Sequence, residues 1–157
     1  MEAAERAIKF YELSKDTKAY GSPQSLASDP EIDLVVCTTR VDVHYNTIKP
    51  AIEAGKAVFV EWPLAENASR ARELHHLAEH SGSRTMVGMQ ARVAPSVLKV
   101  KQILQSSELG KVLSSNVYAY ASYSDRDSIS EGLAYFLDKR IGGSPITIAV
   151  GHSEYQQ

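Results

Sequence analysis

The apolar positions of this chain change period along its length. "DLVVCT" and "AVFVE" are short, unbroken apolar runs rich in β-branched residues, the pattern of strands inside a parallel sheet covered on both faces. Around them the period is helical. "AAERAIKFYEL" puts Ala4, Ala7, Ile8 and Tyr11 on one face. A helix from about His44 to Ala54 is closed by Gly55, and Pro50 should bend it or lie in an early turn. "ASRARELHHLAEH" aligns Ala71, Leu74, Leu77 and Ala78 as a buried stripe between a cap at Asn67 and a stop at Gly82. Ser22 and Pro23 open a short helix that stops before Pro30, and "TMVGM" supplies one more strand. Strands alternating with helices at this spacing predict βαβ crossovers and a parallel, doubly wound sheet.

After Arg92 the pattern changes. Pro95 starts a helix with Val97, Val100, Ile103 and Leu104 inward, Gly110 ends it, and "KVLSSNVYAYASY" reads as one long alternating strand of antiparallel type. A last helix begins at Ser144-Pro145 and stops soon after His152. The predicted class is α/β. Residues 1–92 form a partial Rossmann-like parallel sheet, and residues 93–157 form the start of a C-terminal α/β domain with a mostly antiparallel sheet. No G-x-G-x-x-G turn is present to seat a pyrophosphate, and the second part holds too few elements to close a sheet. The chain is therefore expected to be a fragment lacking the first strand and the glycine-rich loop.

Composition narrows the function classes. Seventeen basic residues against 19 acidic give a net charge of -2 over 157 residues, which supplies no electrostatic case for direct nucleic-acid or membrane binding. No apolar stretch approaches the roughly 20 residues of a membrane span, and "MEAAERAIKF" carries acids where a signal peptide carries a basic then apolar run. A cytoplasmic location is expected. The single cysteine, Cys37, lies within an apolar run and reads as a buried structural thiol.

Candidate chemistry gathers at strand ends. Ligands of parallel sheets bind at the carboxyl ends of the strands, where "AVFVE" delivers Glu61, Trp62 and Pro63. His76 and His80 fit an H-x-x-E-H spacing, yet they lie opposite the apolar stripe with no third ligand, so no metal site is assigned. Tyr118, Tyr120 and Tyr123 read as cross-strand packing, and Lys99, Lys101 and Lys111 as a solvated face.

The order of elements and the residues at their ends resemble the Gfo/Idh/MocA family of NAD(P)-dependent oxidoreductases, which act on sugars and polyols. Thr39 and His44 match a Thr-Pro-x-x-x-His turn, with Arg40 in place of the proline. "EAGKAVFVEWPLA" matches the segment with a Glu-Lys-Pro motif, Trp62 replacing the lysine; "MVGMQAR" has Gln90 for the usual asparagine and keeps Arg92. "GGSPITIAVGH" resembles the start of the helix that carries an Asp and a His, with Ile148 at the Asp position and His152 at the His position. The resemblance implies NAD or NADP as cofactor. It places Thr38, Thr39, His44, Glu61, Trp62, Gln90 and Arg92 in cofactor binding, and His152 as the catalytic proton carrier. Glu61 would accept from a ribose hydroxyl and Trp62 would cover the nicotinamide side.

Trp62 and Ile148 remove two titratable groups of the motif, which leaves open whether the protein is an enzyme. Those departures resemble the branch that includes the fungal repressor of the galactose regulon. The two implied readings are an oxidoreductase-like protein acting on a sugar or polyol and a non-catalytic transcriptional regulator of sugar metabolism. The second would bring a regulatory protein partner and a nuclear location. A homo-oligomer fits either.

Overall fold

A computed structural model of the chain describes residues 2–14, 16–106, 108–116, 118 and 127–154. Helix α1 (Glu2–Phe10) is followed by α2 (Pro23–Ala27), strand β1 (Leu34–Cys37), α3 (Val41–Glu53), β2 (Ala57–Glu61), α4 (Ala68–Ser81) and β3 (Thr85–Gly88). A 3-10 turn at Gln90–Val93 leads into α5 (Pro95–Gln105). Two 3-10 segments at Glu131–Leu137 and Lys139–Ile141 precede a π-helical turn at Ile146–Val150, which runs into α6 (Gly151–Glu154).

The three strands form one parallel sheet in the order β1-β2-β3. Val35 pairs with Val58 and Cys37 with Val60, while Val60 pairs with Val87 and Glu61 with Gly88. All three strands therefore end at the same edge. Sequence signals set the helix limits: the Asn67 side chain accepts from the Arg70 amide to open α4, and Gly82 closes it with a left-handed φ of 69°. Ser22 and Ser25 form a reciprocal capping box with Pro23 in the first turn of α2. α3 starts at Val41, three residues ahead of the expected His44, and continues through Pro50 into its last turn.

One face of the sheet carries the core. Val35, Cys37, Val58 and Val60 pack with Tyr45, Ile48, Ala51 and Ile52 of α3 and Leu74 and Ala78 of α4. Each fully buried aliphatic side chain there contributes about 1.5–3 kcal/mol relative to exposure. At the α3–α4 seam, the Arg70 guanidinium lies 4.0 Å from the centre of the Tyr45 ring, and the Tyr45 hydroxyl donates to Glu73. Lys49 Nζ also reaches Glu73, at 3.2 Å.

The expectation of strands covered on both faces is corrected. Leu34, Val36 and Met86 are 55%, 57% and 64% exposed, so among the described residues the second face is open. Two successive crossovers taken in one direction lay both helices on the same side of a sheet. The apolar stripe of α5 is likewise not turned inward: Val100 and Leu104 are exposed, and Val97 and Ile103 are half-buried. Tyr11 of the first expected stripe is also exposed. Residues 111–116 form no strand, because a ladder needs a paired edge and the described residues supply none beside them. Most of the expected strand's second half, including Tyr120 and Tyr123, lies outside the described residues, and Tyr118 is exposed rather than packed.

Candidate functional site

The loops that leave β1, β2 and β3 share one edge of the sheet, and the residues singled out there lie in these loops, at the strand end, in the first turns of α3 or in the segment folded over them. Thr38 and Thr39 follow β1 and are exposed; Thr39 Oγ1 lies 3.3 Å from Cys37 Sγ, which is itself buried. Arg40 pairs with Asp42 through two hydrogen bonds of 2.7 Å, and its guanidinium stands 5.5 Å from the centre of the Tyr135 ring. Those bonds hold the Asp42 carboxyl below the usual carboxylate range.

His44 lies in the first turns of α3 and is 1% exposed. Its Nδ1 is 2.9 Å from the Pro63 carbonyl and its Nε2 is 2.7 Å from the Thr39 carbonyl. Both neighbours only accept, so one contact is an N–H donation in either neutral tautomer and both are donations when the ring carries two protons. The imidazole therefore cross-links the loop after β1 to the loop after β2 from inside the fold.

At the end of β2, the Gln90 amide donates through Nε2 to both Glu61 oxygens, at 3.0 and 2.9 Å. Gln90 comes from the 3-10 turn after β3, so the pair bridges two neighbouring strand ends; Arg92, in the same turn, is exposed. Glu61 keeps acceptor capacity for a ligand, since a carboxylate offers about four lone-pair sites.

Trp62 is half-buried, joined to Pro63 by a cis peptide bond, and its indole Nε1–H donates to the Thr147 carbonyl at 2.7 Å. Thr147 belongs to the π-helical turn, so the bond ties the β2 loop to the last part of the chain. Close glycine contacts complete this junction. A Cβ on Gly142, whose φ is 79°, would collide with the Glu66 backbone, and a Cβ on Gly151 would stand 2.6 Å from Trp62 Nε1. Only bare Cα positions let the segment lie this close. It carries half-buried His152 one residue beyond the indole contact.

The structure thus places Thr38, Thr39, Glu61, Trp62, Gln90 and Arg92 at one edge, with the His152 segment packed on Trp62. It sets His44 beneath that edge rather than on it. Sequence reading missed the Thr147 carbonyl, Tyr135 and the seat at Glu66. The paired glycines Gly142-Gly143 and the lone Gly151 were the available signal. His76 and His80 stand apart on exposed α4, where the ring Nδ1 of His80 is 2.6 Å from the His76 carbonyl and His76 pairs with Glu79 at 3.4 Å.

Comparison with known proteins assigns this edge a lineage. Residues 1–89 match the oxidoreductase family with an NAD-binding Rossmann fold, GFO_IDH_MocA. The chain belongs to that family. Residues 95–154 match the Gal80p C-terminal domain. Dehydrogenase aclE of Aspergillus oryzae is 38% identical over 151 residues, covering 96% of this chain and 40% of that protein. The galactose/lactose metabolism regulatory protein GAL80 of Saccharomyces cerevisiae is 25% identical over 98% of this chain and 36% of its own length. An inositol 2-dehydrogenase/D-chiro-inositol 3-dehydrogenase of Lactiplantibacillus plantarum is 31% identical over 70% of this chain and 31% of its own. The crystal structure of a super-repressor mutant of Gal80p from Saccharomyces cerevisiae superposes with a TM-score of 0.79 at 25% identity, over 97% of this chain and 40% of that one. The chain spans about two fifths of the length of such relatives.

Proposed function

We propose that this chain is the nicotinamide-facing part of an NAD- or NADP-dependent oxidoreductase that acts on a sugar or polyol. Residues 1–92 serve as dinucleotide-binding part and residues 93–157 as the start of a substrate or oligomerisation part. The observation that carries the reading is the convergence of Thr38, Thr39, Glu61, Gln90 and Arg92 on the carboxyl edge of a parallel sheet, with the His152 segment folded over it. That set offers hydroxyl, carboxylate, amide and guanidinium groups suited to ribose hydroxyls and a carboxamide. The donors that would cradle a pyrophosphate are not among these residues, so the fit is to the nicotinamide half. A bound nicotinamide cofactor supplies the hydride acceptor. Glu61 and Gln90 orient the ribose, and a His152 ring nitrogen takes the proton of the reacting hydroxyl.

The division near residue 92 is supported by the two family matches, which end at 89 and resume at 95. The sugar or polyol class is supported by the inositol dehydrogenase relative. A cytoplasmic location fits a chain in which no described helix is long and apolar enough to cross a membrane.

A second reading, a non-catalytic regulator with a protein partner and a nuclear location, is favoured by one observation. Trp62 has no titratable group, and its indole N–H is already committed to Thr147. A panel of aldoses and polyols offered with NAD and NADP to the native protein that carries this segment separates the two. The enzyme reading expects turnover, and His152→Ala is expected to lower it by roughly 10²-fold while cofactor affinity holds. Cofactor binding with no turnover across the panel overturns it in favour of the regulator.

A further inference from the structure

The arrangement around Trp62 is more constrained than either reading requires. The indole contacts the last part of the chain in two independent ways: its N–H donates to the Thr147 carbonyl at 2.7 Å, and its ring lies where a Gly151 Cβ would be, 2.6 Å from Nε1 and 2.8 Å from Cε2 and Cζ2. These two contacts bracket the helical turn from Thr147 to Gly151, and His152 is the next residue. The turn is π-helical over Ile146–Val150 before it becomes α-helical at Gly151, an irregularity frequent at functional sites. Thr147 is fixed from its other side as well, its hydroxyl donating to the Gly142 carbonyl at 3.0 Å and lying 2.8 Å from the Ser144 amide that donates to it. On the opposite flank Trp62 is held by Pro63, whose carbonyl is engaged by His44.

We propose that Trp62 is a positioning residue for His152. The indole works as a template on the β2 loop that fixes the Thr147–Gly151 turn, and through it the place of the imidazole over the sheet edge, instead of covering the cofactor. The proposal rests on the reading of His152 as proton carrier, and its test has an arm that needs no turnover.

Trp62 is the only tryptophan of the chain, so a 1H–15N spectrum of the 157 residues has one indole signal to follow. The proposal expects that N–H to exchange slowly, and expects Gly151→Ala, which forces the ring and turn apart, to abolish the protection and shift the His152 ring signals. Fast exchange in the unaltered chain overturns the placement.

The second arm uses the native protein carrying this segment. Trp62→Phe keeps a ring against Gly151 and deletes the donor; it is expected to lower kcat, by up to about 10²-fold for a displaced reacting group, with cofactor KM unchanged. Because Trp62 acts through His152, the double variant Trp62→Phe/His152→Ala is expected to be no slower than His152→Ala alone. Additive losses, or a tenfold rise in cofactor KM from Trp62→Phe, overturn the proposal. A protein that binds cofactor without turnover refutes the oxidoreductase reading, and with it the catalytic purpose assigned to the placement, while the indole arm still decides the placement.

Discussion

His44 shows how one side chain connects the strand ends that the function uses. Its ring meets two carbonyls while 1% exposed, so removing it empties a buried site and leaves the buried Pro63 carbonyl without this partner. His44→Ala is expected to destabilise the chain by about 2–4 kcal/mol, the sum of an emptied site and a lost acceptor partner. Urea unfolding followed by circular dichroism checks the value, and a loss below about 1 kcal/mol contradicts the cross-link. The sequence placed His44 in the turn after a strand, and the family resemblance implied that it faces the cofactor. A histidine at a helix N-terminus faces either the ligand edge or the loop beneath it according to where the next strand's loop runs, which is a tertiary fact.

Among the elements, α4 was the most legible, since its cap, stripe and stop are all local. Asn67→Ala is expected to cost about 1 kcal/mol through the lost bond to the Arg70 amide, whereas Asn67→Asp, also a good cap, stays within a few tenths. Thermal melts of the two variants make the comparison. The 3-10 turns at Glu131–Leu137 and Lys139–Ile141 were not foreseen, because 3-10 turns have no long apolar period. One of them carries a pH-dependent contact. Arg140 donates to the Asp138 carboxylate from its side chain and backbone and holds its pKa down to about 2 from an ordinary 3.8. A depressed carboxylate stabilises the fold above the unfolded pKa and loses that contribution as pH falls through the folded one. The turn is therefore expected to loosen between about pH 4 and pH 2, and Asp138→Asn to remove that step from an acid titration of the Arg140 amide signal.

At the scale of the whole molecule, the sheet has one packed face and, among the described residues, one open face. Val36, half-buried Phe59 and Met86 form one row across the three strands on the open one, with Leu34 beside Val36 along β1, and make the kind of apolar patch that binds dyes and other surfaces. The 157-residue chain is expected to bind the dye ANS, and the pair Val36→Lys with Met86→Lys to reduce that signal with little loss of stability, as exposed positions allow. An unchanged signal places the apolar surface elsewhere, on α1 or α5. The pyrophosphate donors missing from these residues also make micromolar NAD binding by this chain unexpected, and titration calorimetry reads that directly.

Periodicity, caps and turn residues are local properties, and they were enough to locate α2, α3, α4, β1, β2 and β3 and to send Glu61 and Trp62 to a strand end. The motif resemblance added the family, because its residues sit at those same ends. Three features depended on the folded chain. The open second face follows from the direction of the crossovers and not from strand composition, since an apolar run looks the same whether one or two faces are covered. The burial of His44 depends on the path of the loop at Pro63. The seating of Gly142 and Gly151 on Glu66 and Trp62 joins residues more than 70 positions apart, and no local pattern encodes which surface a glycine will be pressed against.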